Sequence, residues 1–469
     1  MHFQILKSIC CSTLLIAFCG CASAQKHHLS AIEMFDRGEA SMAVIELEKA
    51  AEQRGAETEI ISVDRAIAGL MAGDVKRCES KLNQSRKQID FLRQKDVREQ
   101  AAAVLSDDKA VTWSGREFEQ RMIDNLLVLA SLVGDRQDAF AYASQGMKHV
   151  SIDRQTIQPP PDSNHSVVTV GHETPPHPAE PTPIRFAPNA LTAYLTAAIH
   201  SEIPMDANIT DKALADVEFW KSGTLGTLNE TTRSASPIMT GFGVRSKVGH
   251  GVLHVVTLVG RATDWQAETA VPTSAALLLA DQILSAVGDH TLPPTIAPVK
   301  IARPARQVSV DPFATSAALV ELHDIQPANS VPLLDLNRCA WDSYSTDRDK
   351  QLGRAIARRI VKKGAVYAAK DQLAISNNSG ADLLMNLGGI AWEALEKPDT
   401  RHVMLLPERV DVLQMELPDG VHTLNLRTSL AGRPTTGRGE TVKVSIENGK
   451  NTFVICFRTG DHIASVVSP

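Results

Sequence analysis

Between Gln155 and Pro183 the chain carries proline at positions 159, 160, 161, 175, 176, 178, 181 and 183. Each proline fixes φ and removes a backbone donor, so this density excludes helix and most strand. The tract predicts a linker or insert over 151–186 that divides the regular structure before it from that after it. His165, His172 and His177 fall inside it and read as solvated side chains. A chain of 469 residues is too long for one ordinary core, which agrees with such a division.

Upstream of the tract a short signature recurs: glycine, an acid, three residues, then a small residue. It occurs at Gly38-Glu39 with Ala43, at Gly73-Asp74 with Cys78 and at Gly134-Asp135 with Ala139. Glycine at a helix C-terminus adopts the left-handed conformation, and the acid that follows meets the free N–H groups of the next helix. Ala66, Leu70 and Met71 precede Gly73 at helical spacing, as Ile123, Leu126, Leu127, Ala130 and Val133 precede Gly134. Ala139, Phe140 and Ala143 continue the second helix of the third pair. Gly38 and Gly73 are 35 residues apart, close to the tetratricopeptide period of about 34. The spacing predicts a TPR-like helical domain over 30–150, with Gly38, Gly73 and Gly134 as its turns; an ordinary helical bundle is the alternative. After the tract, Pro188–His200 and Lys212–Lys221 predict a terminal helical pair within 187–235.

Residues 245–469 read as a mixed α+β domain. Val252–Val259 is an apolar β-branched run between Gly251 and Gly260, as a buried strand requires. Ser274–Val287 and Asp347–Leu373 read as helices, Lys300–Val310 and Ala318–His323 as extended. Arg354, Arg358, Arg359, Lys362 and Lys363 make one side of the second helix basic, a pattern expected of a solvated face. Val410–Leu417 alternates into Pro418-Asp419-Gly420, and Val421, Thr423 and Leu424 begin a return, which predicts a hairpin. Glu440–Ile446 and Thr452–Phe457 predict a second across Asn448-Gly449. The fold class expected is therefore α+β: TPR-like helices, then a mixed domain ending in antiparallel hairpins, built as a small sheet or sandwich.

Lys7, the uncharged run Ile9–Phe18 and the small residues Gly20, Ala22, Ser23 and Ala24 form a secretory signal over 1–24. Two cleavage readings stand. Ala22-Ser23-Ala24 fits ordinary signal peptidase. Phe18-Cys19-Gly20-Cys21 resembles a lipobox, with Cys21 diacylated as the first mature residue and the chain tethered by its acyl groups. A soluble periplasmic or secreted protein is the alternative to the lipid anchor. The absence of Asp after Cys21 points to the outer membrane. Of the remaining cysteines, Cys78, Cys339 and Cys456 are too few and too far apart for a metal site or a disulfide framework, and they read as buried thiols.

Net charge −6 and 4% aromatic residues supply neither a phosphate-binding face nor base-stacking platforms, so no nucleic acid is expected. His250 and His254 form H-x-x-x-H, but Gly251 stands where a zinc protease has its Glu, and the run is a strand. Gly241-Phe242-Gly243 lacks a third glycine, and Glu393 and Glu396 beside Trp392 form no constellation. No enzyme, metal or cofactor is expected. Asp399-Thr400-Arg401, followed by Leu406-Pro407, reads as a turn in which an Asp–Arg pair braces two strands.

The stretch Glu396–Leu426, with Pro398-Asp399-Thr400-Arg401, Leu406-Pro407 and Gly420-Val421-His422-Thr423, resembles the C-terminal region of an uncharacterised family of bacterial TPR-like envelope lipoproteins. The run Arg354–Tyr367 and the string Gly115-Arg116-Glu117-Phe118-Glu119 resemble other segments of that family. Val403 departs from its D-T-R-x-W-x-x-L-P string. The resemblance marks Asp399, Thr400, Arg401, Pro407 and Gly420 as a structural motif. It implies an anchored, non-catalytic scaffold or adaptor that binds an envelope protein partner, with a link to cell-wall assembly. A glycan or small-ligand sensor, and a hydrolase acting through the C-terminal domain, are the alternatives.

Overall fold

The computed structural model describes residues 23–93, 112–157, 184–225, 248–287, 297–307, 311–321, 327–372, 397–437 and 439–469. Cys21, the prolines of the 155–183 tract with its three histidines, Gly241–Gly243, Trp392, Glu393 and Glu396 lie outside these residues.

Helices fill the N-terminal half. They are α1 (23–36), α2 (Ala40–Ala51), α3 (Thr58–Met71), α4 (Val75–Arg93), α5 (Glu117–Val133), α6 (Ala139–Ile157), α7 (Pro188–Ser201) and α8 (Ala207–Leu225). From α2 onward each helix packs on the next in chain order. Gly38 and Gly73 have φ of +81° and +84°. In both turns the following N–H reaches back five residues, Glu39 to the Met34 carbonyl and Asp74 to the Gly69 carbonyl, each at 2.9 Å. The third turn is built differently: Gly134 has φ −92°, and the left-handed residue is Arg136 at +62°. Ala139, Phe140 and Ala143 continue the second helix as expected, with Phe140 exposed and the two alanines buried.

The C-terminal half is rich in sheet. Its strands are β1 (His250–Val259), β2 (Trp265–Ala270), β3 (Val299–Pro304), β4 (Phe313–Leu319), β5 (Ala328–Asn329), β6 (Val331–Asp335), β7 (Arg409–Pro418), β8 (Gly420–Leu430), β9 (Arg433–Pro434), β10 (Glu440–Ile446), β11 (Asn451–Thr459) and β12 (His462–Val467). One sheet runs β12-β11-β1-β7-β6, a second β10-β8-β4-β5 with β9 on β8, and β2 pairs with β3 apart from both. β1 is parallel to β11 and antiparallel to β7.

The β12-β11-β1-β7-β6 sheet is the middle layer. Val256, Leu258, Phe453, Ile455, Phe457, Val410 and Val412 share one buried cluster with the helices. Leu253, Val255, Leu413, Leu417, Val454 and Cys456 turn the other way, onto Leu424, Leu426, Val444 and Ile446 of the second sheet. Both faces are covered, which is why β1 reads as an unbroken apolar run instead of alternating. Burial of side chains such as Phe453 and Phe457 stabilises by about 2 kcal/mol each. The helical half closes on this sheet at close range. Phe35 meets Phe457 edge to face, and Gly38 lies so near the His462 ring that a methyl group has no room there.

Two expected hairpins are corrected by the strand order. β7 lies between β1 and β6, and β8 between β10 and β4, so the Pro418-Asp419-Gly420 turn carries the chain from one sheet to the other. Asn448-Gly449 does the same between β10 and β11. Alternation marks a strand with two different faces but not its neighbour, and both edges of β7 are already taken. The hairpin that does close this region is β11–β12.

Two helices complete the half: α9 (Ser274–Val287) and α10 (Leu336–Gln372). Thr273 caps α9, its Oγ1 accepting from the Ala276 N–H at 3.1 Å and donating to Asp349 at 2.7 Å. α10 begins eleven residues before its expected start at Asp347. Asp335 caps it by accepting from the Arg338 N–H, and the Ser345 and Thr346 hydroxyls bond back to the Trp341 and Asp342 carbonyls. Nor is its basic side uniformly solvated. Arg354 is exposed, Arg358 is buried, and Arg359 donates to the Ala297 and Pro298 carbonyls.

Candidate functional site

The Asp399-Thr400-Arg401 segment runs along the seam between the helical and sheet-rich halves. Arg401 grips Asp399 with two nitrogens, Nε at 2.8 Å and Nη2 at 2.9 Å. Its Nη1 also donates to Glu57, at the start of α3, at 3.4 Å. Burial pulls the Arg401 guanidinium down, but the Asp399 and Glu57 carboxylates outweigh it and leave its pKa raised. Arg116, just before α5, donates to the Arg401 carbonyl at 2.9 Å and the Asp399 carbonyl at 3.2 Å. The Asp–Arg pair therefore braces a segment against two helices, not two strands against each other. Thr400 contributes its carbonyl, which lies 2.9 Å from His402 Nδ1.

Two buried carboxylates hold the following backbone. Glu119 Oε1 accepts from the Val403 N–H at 3.1 Å, while its Oε2 accepts from the Arg116 N–H at 2.7 Å. Asp64 Oδ1 accepts from the Leu405 N–H at 2.8 Å, and its Oδ2 lies 2.7 Å from His28 Nε2. Asp64 is fully buried and Glu119 nearly so. Each satisfies a backbone donor that the extended segment leaves without a ladder partner. Pro407 is buried just before β7, and Gly420, with φ +138°, lies at the opposite end of that strand.

Beside this segment opens a cleft of about 430 Å³, within the range of ligand sites. One wall is the run Thr112–Arg116. Trp265, Ile301 and Ala302 of the β2–β3 pair form a second. Ser343, Asp347, Lys350, Gln351 and Arg354 of α10 form a third, and Asp399 and Arg401 close the end. Gly115, with φ +73°, turns the chain into α5, and the Gln120 amide holds that turn through the Ser114 and Gly115 carbonyls. Gly353 lets α10 approach α9 closely, because a methyl group there would press on Leu279 and the Ala276 carbonyl.

The cleft is rich in cations. Arg116, Lys350, Arg354 and Arg401 face Asp347 and Asp399, four positive groups to two negative. The Arg116 guanidinium lies 3.5 Å above the Trp265 ring centre, and burial lowers its pKa. Trp113, only 5% exposed, also borders a second hollow of about 280 Å³ over α3 and α4, where Gln84, Ser85 and Gln88 present amides and a hydroxyl.

The other residues singled out from sequence lie elsewhere. His254 is buried, with Nδ1 2.8 Å from the Tyr194 hydroxyl, and it fastens α7 to β1. No group of three or more metal-ligating side chains occurs among the described residues. Cys78, Cys339 and Cys456 are free and buried, and burial raises each thiol well above its usual range. The cleft itself was not legible beforehand. Gly115–Glu119 and Asp399–Arg401 are at least 280 residues apart, and no spacing joins them.

No protein-family model matches the chain, and neither the curated proteins nor the solved structures include a significant match to it. No described helix is long and apolar enough to cross a membrane.

Proposed function

We propose that this chain is an exported, lipid-anchored adaptor of the bacterial cell envelope, which binds a protein partner and performs no reaction of its own. In this reading Cys21 carries the acyl anchor, the outer membrane holds it, and the body faces the periplasm. The helices of residues 30–150 act as a TPR-like array, and the partner docks where they meet the sheet-rich half. The observation that carries the reading is the cleft beside Asp399–Arg401. Its end wall is locked by Arg116, Glu119 and Asp64, so it is a preorganised recess that loses little entropy on binding. Its reaching groups are cations, which suit recognition. Cell-wall assembly is the setting that the family resemblance implies.

The test is crosslinking in cells followed by capture of the tagged full-length protein, beside a Cys21→Ala control. Recovery of one envelope complex, lost with the anchor, is the expected result. Equal and featureless recovery from both forms would overturn the reading.

A further inference from the structure

We infer that the cleft receives an extended acidic segment of a partner protein, which crosses Trp113 into the hollow over α3 and α4. This rests on the adaptor reading above and adds the chemistry of the partner. The first observation is charge. The cleft lining carries four positive groups to two negative on a chain whose net charge is −6; Glu57 and Glu119 pair with Arg401 and Arg116 from behind, so the positive charge at the mouth is that of α10. Arg116 and Arg401 are committed to carbonyls and carboxylates of the seam. Lys350, which donates to Asp347 at 3.2 Å, and Arg354 one helical turn on are exposed on α10 and are the cations nearest a visitor.

The second observation concerns the aromatic rings. Trp265 is 7% exposed with a guanidinium over its ring, and Trp113 is 5% exposed. Neither offers an open face, so a sugar or a base has no platform to stack on. Ile301 and Ala302 are buried as well, so the cleft meets a visitor through the polar and charged groups of α10 and of the run Thr112–Arg116. The third observation is continuity. Trp113 borders both hollows, and the second presents the Gln84 and Gln88 amides, groups that pair with a peptide backbone.

The experiment uses the purified full chain and a fluorescein-labelled peptide alternating Glu with Leu and Ser, read by anisotropy. Matched peptides carry Gln or Lys in place of Glu. The Glu peptide is expected to bind at least about tenfold more tightly than either, and to weaken as salt rises. Lys350→Glu with Arg354→Glu is expected to lose at least about tenfold, while Lys443→Glu, exposed on β10, changes nothing. Equal binding of the Gln peptide, full affinity in the double variant, or preference for an oligogalacturonate over the Glu peptide would overturn the inference. Capture from cells separates the two readings. A partner recovered equally by the wild type and the double variant removes the cleft and leaves the adaptor. A Glu peptide that binds through Lys350 and Arg354, with no partner recovered, supports the cleft and removes the adaptor.

Discussion

Acid should loosen the joint between α7 and the central sheet through one residue. His254 is 2% exposed, stacks on Phe453 at 5.0 Å and lies 2.8 Å from the Tyr194 hydroxyl. Burial lowers its pKa from 6.5 to about 4. The folded chain therefore keeps this ring neutral at a pH where the unfolded chain has already protonated it. A base with a depressed folded pKa contributes stability that is whole above the unfolded value and is lost as pH falls toward the folded one. With pKa values of 6.5 and about 4, the contribution lost is about 2 kcal/mol by pH 5 and about 3 kcal/mol below pH 4. Carboxylates titrate in the same window, so the measurement is a difference. Urea unfolding of the wild type and of His254→Gln is compared at pH 8 and at pH 5. The wild type is expected to lose about 2 kcal/mol more than the variant over that interval. A stability difference that does not change with pH would refute the assignment.

Further tests address the turns, the seam and the thiols. Gly73→Ala adds a methyl group in open space to a left-handed residue and is expected to cost about 1 kcal/mol, whereas Gly38→Ala also drives it into His462 and should cost about 3 kcal/mol by urea unfolding. Asp64→Ala strands the Leu405 N–H and His28 in the core and is expected to cost about 3–5 kcal/mol, while Asp36→Ala, which removes a half-exposed partner of Arg261, should cost less than about 1 kcal/mol by the same assay. Cys78, Cys339 and Cys456 should stay unlabelled by a thiol reagent in the native protein and react together once denaturant is added; labelling of any one before unfolding would place it at the surface.

What the chain discloses in advance is local. Ser274–Val287 follows the Thr273 cap, Pro188–His200 opens on a proline, both carry apolar spacing, and both form helices as expected. Val252–Val259 announces a strand covered on both faces. The failures are failures of neighbourhood. Val410–Leu417 and Val421–Leu424 alternate whichever strand they pair with, so the partner of each was invisible, and the turn at Gly420 joins two sheets. The start of α10 was hidden because Ser345 and Thr346 can compete with a helix backbone, and only in the structure are their hydroxyls bonded back within it. Arg358 looked solvated because a charge pattern says nothing about what packs against it. Asp399 and Arg401 were recognisable as a pair, but the groups that fix them, Glu57 and Arg116, lie hundreds of residues earlier.

The parallel pairing of β1 with β11 also has a temporal meaning. Val252 sits opposite Asn451, and the α1–α2 turn rests on His462, near the end of the chain. A ribosome therefore releases the helical half long before the strands that cover it exist. Contacts of such range close slowly, because the intervening loop entropy is met before any of the pairing is gained. For a chain that leaves the cell as proposed, the delay is useful. Its helices can be fastened to the sheet only once β11 and β12 have followed them.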